Sequence, residues 1–154
     1  MGDSIRRASP KGLADLLAHN RATASAKVKL LLVLSNADLD DTNWSAADVV
    51  SDLITPATHL HPTSTSEYPL DNVQFVRQGS QIIMTHDDLT ISGLAAPTGS
   101  NDVQYAIYVW DEDNTQPIND MVPLVCTDIV TQPTGSGDYA VTDGTGIVLW
   151  ETDY

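Results

Sequence analysis

The sequence predicts a mainly β protein, an antiparallel β-sandwich or barrel with one short N-terminal helix. Short runs of strand-forming residues recur at fairly regular spacing through the second half of the chain, separated by turns that contain glycine or aspartate. The 154 residues, 42% of them hydrophobic, are enough for one domain with a real core. A second full domain and a fully disordered chain are both disfavoured.

Residues 1–26 are predicted to form a basic arm that contains the helix, and residues 27–154 an acidic β-sandwich domain. Ser9 can cap the helix, and Pro10 supplies the fixed backbone angle of its first position. Leucines then follow on one helix face, up to about residue 20: Leu13, Leu16 and Leu17.

The continuous apolar run from Val28 to Leu34 predicts a buried strand, because it is too short for a typical helix. Residues 35–65 show a single possible helical turn, at Ser45 to Leu53. Alternation and turn residues predict strands at 73–76, 81–85, 89–92, 103–110, 122–130, 139–142 and 147–150. The turn residues 143–146 (DGTG) predict that the last two strands form a hairpin.

Charge is distributed unevenly along the chain. There are 21 acidic and 7 basic residues, a net charge of −14, and every basic residue except Arg77 lies within the first 29 positions. An acidic body repels nucleic acid and anionic membranes, so neither is expected as a partner. The basic arm can approach the acidic body of another subunit or the acidic face of a scaffold, unless both are merely solvated. The aspartate-rich, lysine-poor composition is also typical of salt-adapted proteins.

Cys126 is the single cysteine and lies in an apolar run, which predicts a buried side chain and excludes an intrachain disulfide. Arg6-Arg7 is not followed by an apolar run, so no secretion signal is expected. The longest apolar run is also too short to span a bilayer.

Two acidic groups are candidates for calcium, which prefers oxygen ligands. The first contains Asp38 and Asp40, and the second contains Asp111 and Asp113. The second is not an EF-hand, because Gln116 stands where that loop requires glycine. Solvated acids in turns are the alternative interpretation, so no cofactor is expected beyond possible calcium.

No catalytic motif is found, and the chain is not expected to be an enzyme. His86 and Asp87 could be combined on paper with a serine into a hydrolase triad, but there is no G-x-S-x-G turn. His59 and His61 form an H-x-H pair without an evident third metal ligand; Pro56 and Pro62 on either side predict an exposed loop.

Aromatic residues suggest a further class of function. Trp44, Trp110 and Trp150 could line a sugar-binding face, and Tyr108 shares a strand face with Trp110. A carbohydrate-binding or host-adhesion module is therefore one hypothesis. Residues of this kind are more often core or subunit-interface contacts. Tyr108 and Trp110 are accordingly also candidates for an interface.

Four segments in order resemble small structural proteins of tailed bacterial and archaeal viruses. They are KVKLLLV (27–33), VSDL (50–53), AIYVWDEDNT (106–115) and GDYAVTDGTGIVLW (137–150). Together they span most of the chain. The sequence departs from the pattern in its long 54–72 segment and its strong acidity.

The resemblance implies a non-enzymatic component of the virus particle, assembled in the host cytoplasm. A capsid decoration protein on the outer shell, bound to the major capsid protein, fits the charge distribution, with Arg6, Arg7 and Lys11 as candidate contacts. A neck or tail component, in contact with neighbouring virion proteins, is the alternative. Closed symmetry is expected, with a trimer favoured.

Overall fold

A computed structural model describes residues 5–6, 27–94, 96–97, 101–129, 139–141 and 147–151. It confirms the predicted fold class, because the described part is mainly β and all its strand pairings are antiparallel. The strands are β1 (Ile5–Arg6), β2 (Val28–Leu34), β3 (Leu60–His61), β4 (Tyr68–Pro69), β5 (Gln74–Gln78), β6 (Gln81–Thr85), β7 (Leu89–Ile91), β8 (Val103–Trp110), β9 (Val122–Asp128), β10 (Tyr139–Val141) and β11 (Ile147–Glu151). Helices α1 (Asp41–Ala46) and α2 (Pro56–His59) and two 3-10 helices (Val50–Asp52 and Ile118–Asp120) join them.

The central sheet has the strand order β1-β9-β8-β2-β3, and β4 also pairs with β2. Its middle is the long pairing of β2 with β8, which runs from Val28 opposite Trp110 to Leu34 opposite Val103. β1 pairs with β9 on the side of the sheet away from β4. The predicted N-terminal helix, at residues 9–20, lies outside the described residues.

Both faces of the central sheet are covered, which explains why β2 is apolar at almost every position. Val28, Leu30 and Leu32 face one buried cluster, whereas Leu31 and Val33 face another. Successive side chains of a strand point to opposite faces, so a strand covered on both sides reads as a continuous apolar run.

The first cluster is the interior of the β-sandwich. Opposite the central sheet lie a three-stranded sheet, β11-β6-β5, and a two-stranded sheet, β10-β7. They contribute Met84, Ile91, Val141, Ile147 and Leu149 to the shared core. The two-residue turn between β5 and β6 contains Gly79 at a φ of 60°, a backbone angle that glycine adopts readily.

The second cluster lies on the other face of the central sheet, beneath residues 37–60 and Met121. Leu39, Trp44, Val50 and Leu60 pack there against Ile107. Helix α1 begins at Asp40, whose Oδ1 accepts a hydrogen bond of 2.7 Å from the Asn43 backbone N–H. In place of the helical turn predicted at 45–53, the structure has two short helices. They are α1, which begins earlier in the chain, and the 3-10 helix Val50–Asp52.

The predicted C-terminal hairpin is wrong. β10 pairs with β7 and β11 pairs with β6, so the two strands belong to different sheets. Local turn chemistry favoured pairing between neighbours in sequence. Burial of Val141, Ile147 and Leu149 against the sandwich core instead selects partners far away along the chain.

Candidate functional site

A buried ion pair lies at one end of the central sheet. Lys29 is the second residue of β2, and Asp111 directly follows β8. The two strand ends are held together because the Asp111 backbone N–H donates a 2.7 Å hydrogen bond to the Lys27 carbonyl. Lys29 Nζ lies 2.7 Å from Asp111 Oδ2 and 2.9 Å from Oε1 of Glu67, which precedes β4. One ammonium group therefore binds two carboxylates that come from distant segments.

These three charges differ in exposure. The side chains of Lys29 and Asp111 are 5% and 0% exposed, whereas that of Glu67 is 30% exposed. Burial alone lowers the pKa of Lys29, but hydrogen bonds to Asp111 and Glu67, together with their negative charges, raise it above its ordinary value. Lys29 thus stays charged. Lys29, Asp111 and Glu67 together carry one net negative charge, and Glu67 is the member that is exposed to solvent.

Asp111 also organises the loop that follows it. Its Oδ1 accepts backbone hydrogen bonds from Thr115 (3.2 Å) and Gln116 (3.0 Å), while Oδ2 binds Lys29. Asn114 has a φ of 58°, a left-handed conformation that asparagine tolerates better than most residues. The carboxylate is therefore a structural centre for residues 111–116.

A pocket of about 350 Å³ opens beside this network, a size at the small end of ligand sites. Glu67 lines it directly, and Gln116, whose backbone binds Asp111, lines it as well. The other lining residues come from the start of α2, the 64–65 turn and the second 3-10 helix with its preceding residue: Pro56, Ser64, Thr65, Pro117, Ile118 and Asn119.

The pocket walls are held by local hydrogen bonds. Thr63 and Ser66 close the 63–66 turn through a 3.1 Å backbone bond and a 2.8 Å hydroxyl contact. The Val50 N–H donates to the Met121 carbonyl (2.9 Å), which joins the two 3-10 helices. Walls fixed in this way lose little conformational freedom when a ligand binds.

Two of the calcium candidates have structural roles, one as a helix cap and one in the ion pair. Asp40 caps α1, and Asp38 accepts a hydrogen bond at its backbone carbonyl from the Asn43 side chain. Asp111 is not a solvated turn acid, as the alternative interpretation had it, but is fully buried against Lys29. Asp113 is exposed. Within the part of the chain that the structure describes, no three His, Cys, Asp or Glu side chains are grouped as metal ligands.

The assignment of Tyr108 and Trp110 to an interface or a sugar-binding face is wrong. Their exposures are 0% and 2%, and both belong to the sandwich core. Trp110 packs edge-on against Phe75 with ring centroids 6.4 Å apart, and Lys27 Nζ lies 6.0 Å from its ring centroid. The second sheet covers the strand face that they share.

Arg6 lies in β1, where its backbone is opposite Cys126. Arg7 and Lys11 lie outside the described residues. Cys126 is buried, as predicted.

The burial of His61 differs from expectation. His61 is buried in β3 and not exposed, because β3 pairs with β2 and places His61 opposite Leu32. His86 Nδ1 lies 2.6 Å from the Asp87 backbone carbonyl, and the Asp87 carboxylate accepts from Asn72. His86 and Asp87 therefore do not form the histidine-carboxylate pair that a triad requires.

Sequence reasoning missed Lys29 and Glu67. The signal for Lys29 was present, because a lysine inside a seven-residue buried strand needs a carboxylate partner. Glu67 carried no such signal, since it lies in a polar segment. None of the helices in the described segments is long and apolar enough to cross a membrane.

Comparison with known proteins gives no match to a family model, to a curated protein or to a solved structure.

Proposed function

We propose that this chain is a non-enzymatic structural protein of a virus particle, a decoration protein that binds the outer shell formed by the major capsid protein. The mainly β fold is compatible with the viral resemblance of the sequence. The proposal depends chiefly on the separation of charge between the N-terminal segment and the body. A trimer is the expected solution state.

The surface of the described body is strongly acidic. Its exposed carboxylates are Asp38, Asp40, Asp41, Asp48, Asp52, Asp71, Asp87, Asp88, Asp102, Glu112, Asp113 and Asp120. Among the side chains that the structure describes, Arg77 is the one exposed cation. Residues 1–26, in contrast, contain four basic and two acidic residues. This separation favours attachment through the N-terminal segment to an acidic surface, with the body facing solvent.

The position of β1 determines how the proposal is tested. Ile5 and Arg6 pair with Thr127 and Cys126 at the edge of the central sheet. Truncation of residues 1–11 would remove this strand along with the charges. Substitution of the basic side chains is the cleaner experiment, because it changes charge and leaves the backbone in place.

The test is cosedimentation with capsid shells assembled from the proposed partner, the major capsid protein. Arg6→Glu, Arg7→Glu and Lys11→Glu combined should abolish binding, because three attractive contacts become repulsive. Arg77→Glu is the matched control and should bind normally. Normal binding by the triple variant would contradict attachment through the N-terminal segment.

The alternative, a neck or tail component, is distinguished by absolute mass from light scattering at low and at molar salt. A trimer supports decoration at threefold positions of a shell. A hexamer or larger ring supports the neck or tail.

A further inference from the structure

We propose that the pocket beside Glu67 binds an arginine side chain of a partner protein. The proposed attachment to a shell uses the basic N-terminal segment and makes no use of this pocket. The inference goes beyond that function and stands independently of it. It rests on the charge of the Lys29 network, on a Glu67 oxygen that has no partner among the described residues and on the chemistry of the pocket walls.

The charge of the network favours a cation. Lys29 neutralises one of its two carboxylates, and Asp111 is further satisfied by two backbone N–H groups. The remaining negative charge falls on Glu67, the partly exposed member of the three. Exposed acids close in sequence to the lining residues 116–119, namely Glu112, Asp113 and Asp120, add to the negative potential.

Glu67 also offers a second acceptor, Oε2. Its Oε1 accepts from Lys29, and its Oε2 has no hydrogen-bond partner among the described residues. The carboxylate is held by Lys29, so it is already oriented when a ligand arrives. A cationic donor at Oε2 would form a charge-assisted hydrogen bond, which is stronger than one between neutral groups.

The remaining walls favour arginine over a compact ammonium ion. Pro56, Pro117 and Ile118 provide apolar surface against which a three-carbon stem can pack. Ser64, Thr65 and Asn119 carry side-chain oxygens that can accept hydrogen bonds. A guanidinium group has five donors in a planar fork and is more weakly hydrated than ammonium, so it can use several such acceptors at once.

The probe is N-acetylarginine amide, and the control ligand is N-acetylcitrulline amide, which has nearly the same shape without the charge. Binding to the full chain is followed by the NMR shifts of backbone amides. We expect the arginine probe to shift Ser64, Glu67 and Asn119 with a Kd on the order of millimolar, and citrulline to bind at least about tenfold more weakly. Equal shifts with both probes, or no shifts at the pocket, would overturn the proposal.

Glu67→Gln should weaken the arginine probe at least about fivefold, a loss of about 1 kcal/mol. The variant should remain folded, because the glutamine carbonyl can still accept from Lys29. Asp88→Asn makes the same change of charge on an exposed residue outside the pocket and should bind like the parent. If Glu67→Gln fails to fold, Ser64→Trp on the exposed 63–66 turn blocks the pocket instead and should abolish the shifts. Undiminished binding by either pocket variant would overturn the proposal.

Discussion

Lys29 and Asp111 are 82 residues apart in the chain, and their side chains meet at 2.7 Å in the interior of the protein. β2 and β8 bring them together, since the pairing of Val28 with Trp110 places the start of one strand beside the end of the other. Glu67 is the third member, and it connects this buried pair to the pocket surface. Fold stability and the candidate binding site therefore depend on the same three charges.

Removal of the Asp111 charge should be strongly destabilising. Asp111→Asn keeps an oxygen that can accept from the 115 and 116 backbone amides but leaves Lys29 buried with Glu67 alone. We expect a loss of about 3 kcal/mol in the free energy of unfolding, measured by urea denaturation. The exposed control Asp113→Asn should change it by less than about 0.5 kcal/mol.

The double variant Lys29→Met with Asp111→Asn distinguishes the contribution of the ion pair to stability from that of side-chain packing. Because it removes both charges from the interior, it should be more stable than Asp111→Asn alone. Strict additivity of the two single substitutions would show that the pair is not coupled.

Stability should decrease above about pH 10. The pKa of Lys29 is raised above its usual 10.5 by Asp111 and Glu67 against the opposing effect of burial, and burial raises that of Tyr68 above 10.0. Above these usual values the folded state retains protons that the unfolded state has lost. The contribution of these two groups to the free energy of unfolding is therefore fully present at pH values below their usual pKa values. It decreases as the pH rises above them, by up to about 1.4 kcal/mol per pH unit for each retained proton. Tyr68→Phe should make the decline shallower in urea titrations between pH 9 and 11.

Salt should stabilise the protein, because the exposed carboxylates repel one another. Raising NaCl from 0.05 to 1 M shortens the screening length to about 3 Å. We expect a gain of about 1 kcal/mol, or about 2–4 °C in Tm, by calorimetry. A variant with Asp71, Asp88, Asp102 and Asp113 all changed to Asn should gain less. An equal gain would assign the salt effect to something other than carboxylate repulsion.

Trp110→Ala should destabilise the sandwich by about 3–5 kcal/mol, because it removes a large buried side chain that packs on Phe75. Chemical denaturation measures the loss. Val76→Ala is the control: Val76 is 47% exposed on β5, and its truncation should cost less than about 0.5 kcal/mol. A folded Trp110→Ala protein of parental stability would contradict the burial of this ring.

Asp40→Ala should cost about 1 kcal/mol through loss of the α1 cap. Because Asp40 caps a helix and Asp111 is paired with Lys29, millimolar calcium should leave Tm unchanged in the parent and in the variant. A rise in Tm with calcium in the parent that disappears in Asp40→Ala would restore Asp40 as a calcium ligand.

The sequence by itself determined most individual strands. Val28–Leu34 was predicted at its observed limits from its continuous apolar run, and Val103–Trp110 from its alternation. Both patterns are local properties of the chain. The burial of Cys126 followed from the same kind of pattern. The acidic character of the surface also followed from composition alone.

The tertiary structure decided which strands pair and which polar residues meet. Turn residues suggested a hairpin of the last two strands, but burial against the shared core placed β10 beside β7 and β11 beside β6. Lys29 stands out as a lysine within an apolar strand, but nothing in the local sequence identifies Asp111 and Glu67 as its partners. Pairing among β2, β4 and β8 brings them together, and pairing between segments far apart in the chain depends on the packing of the whole molecule.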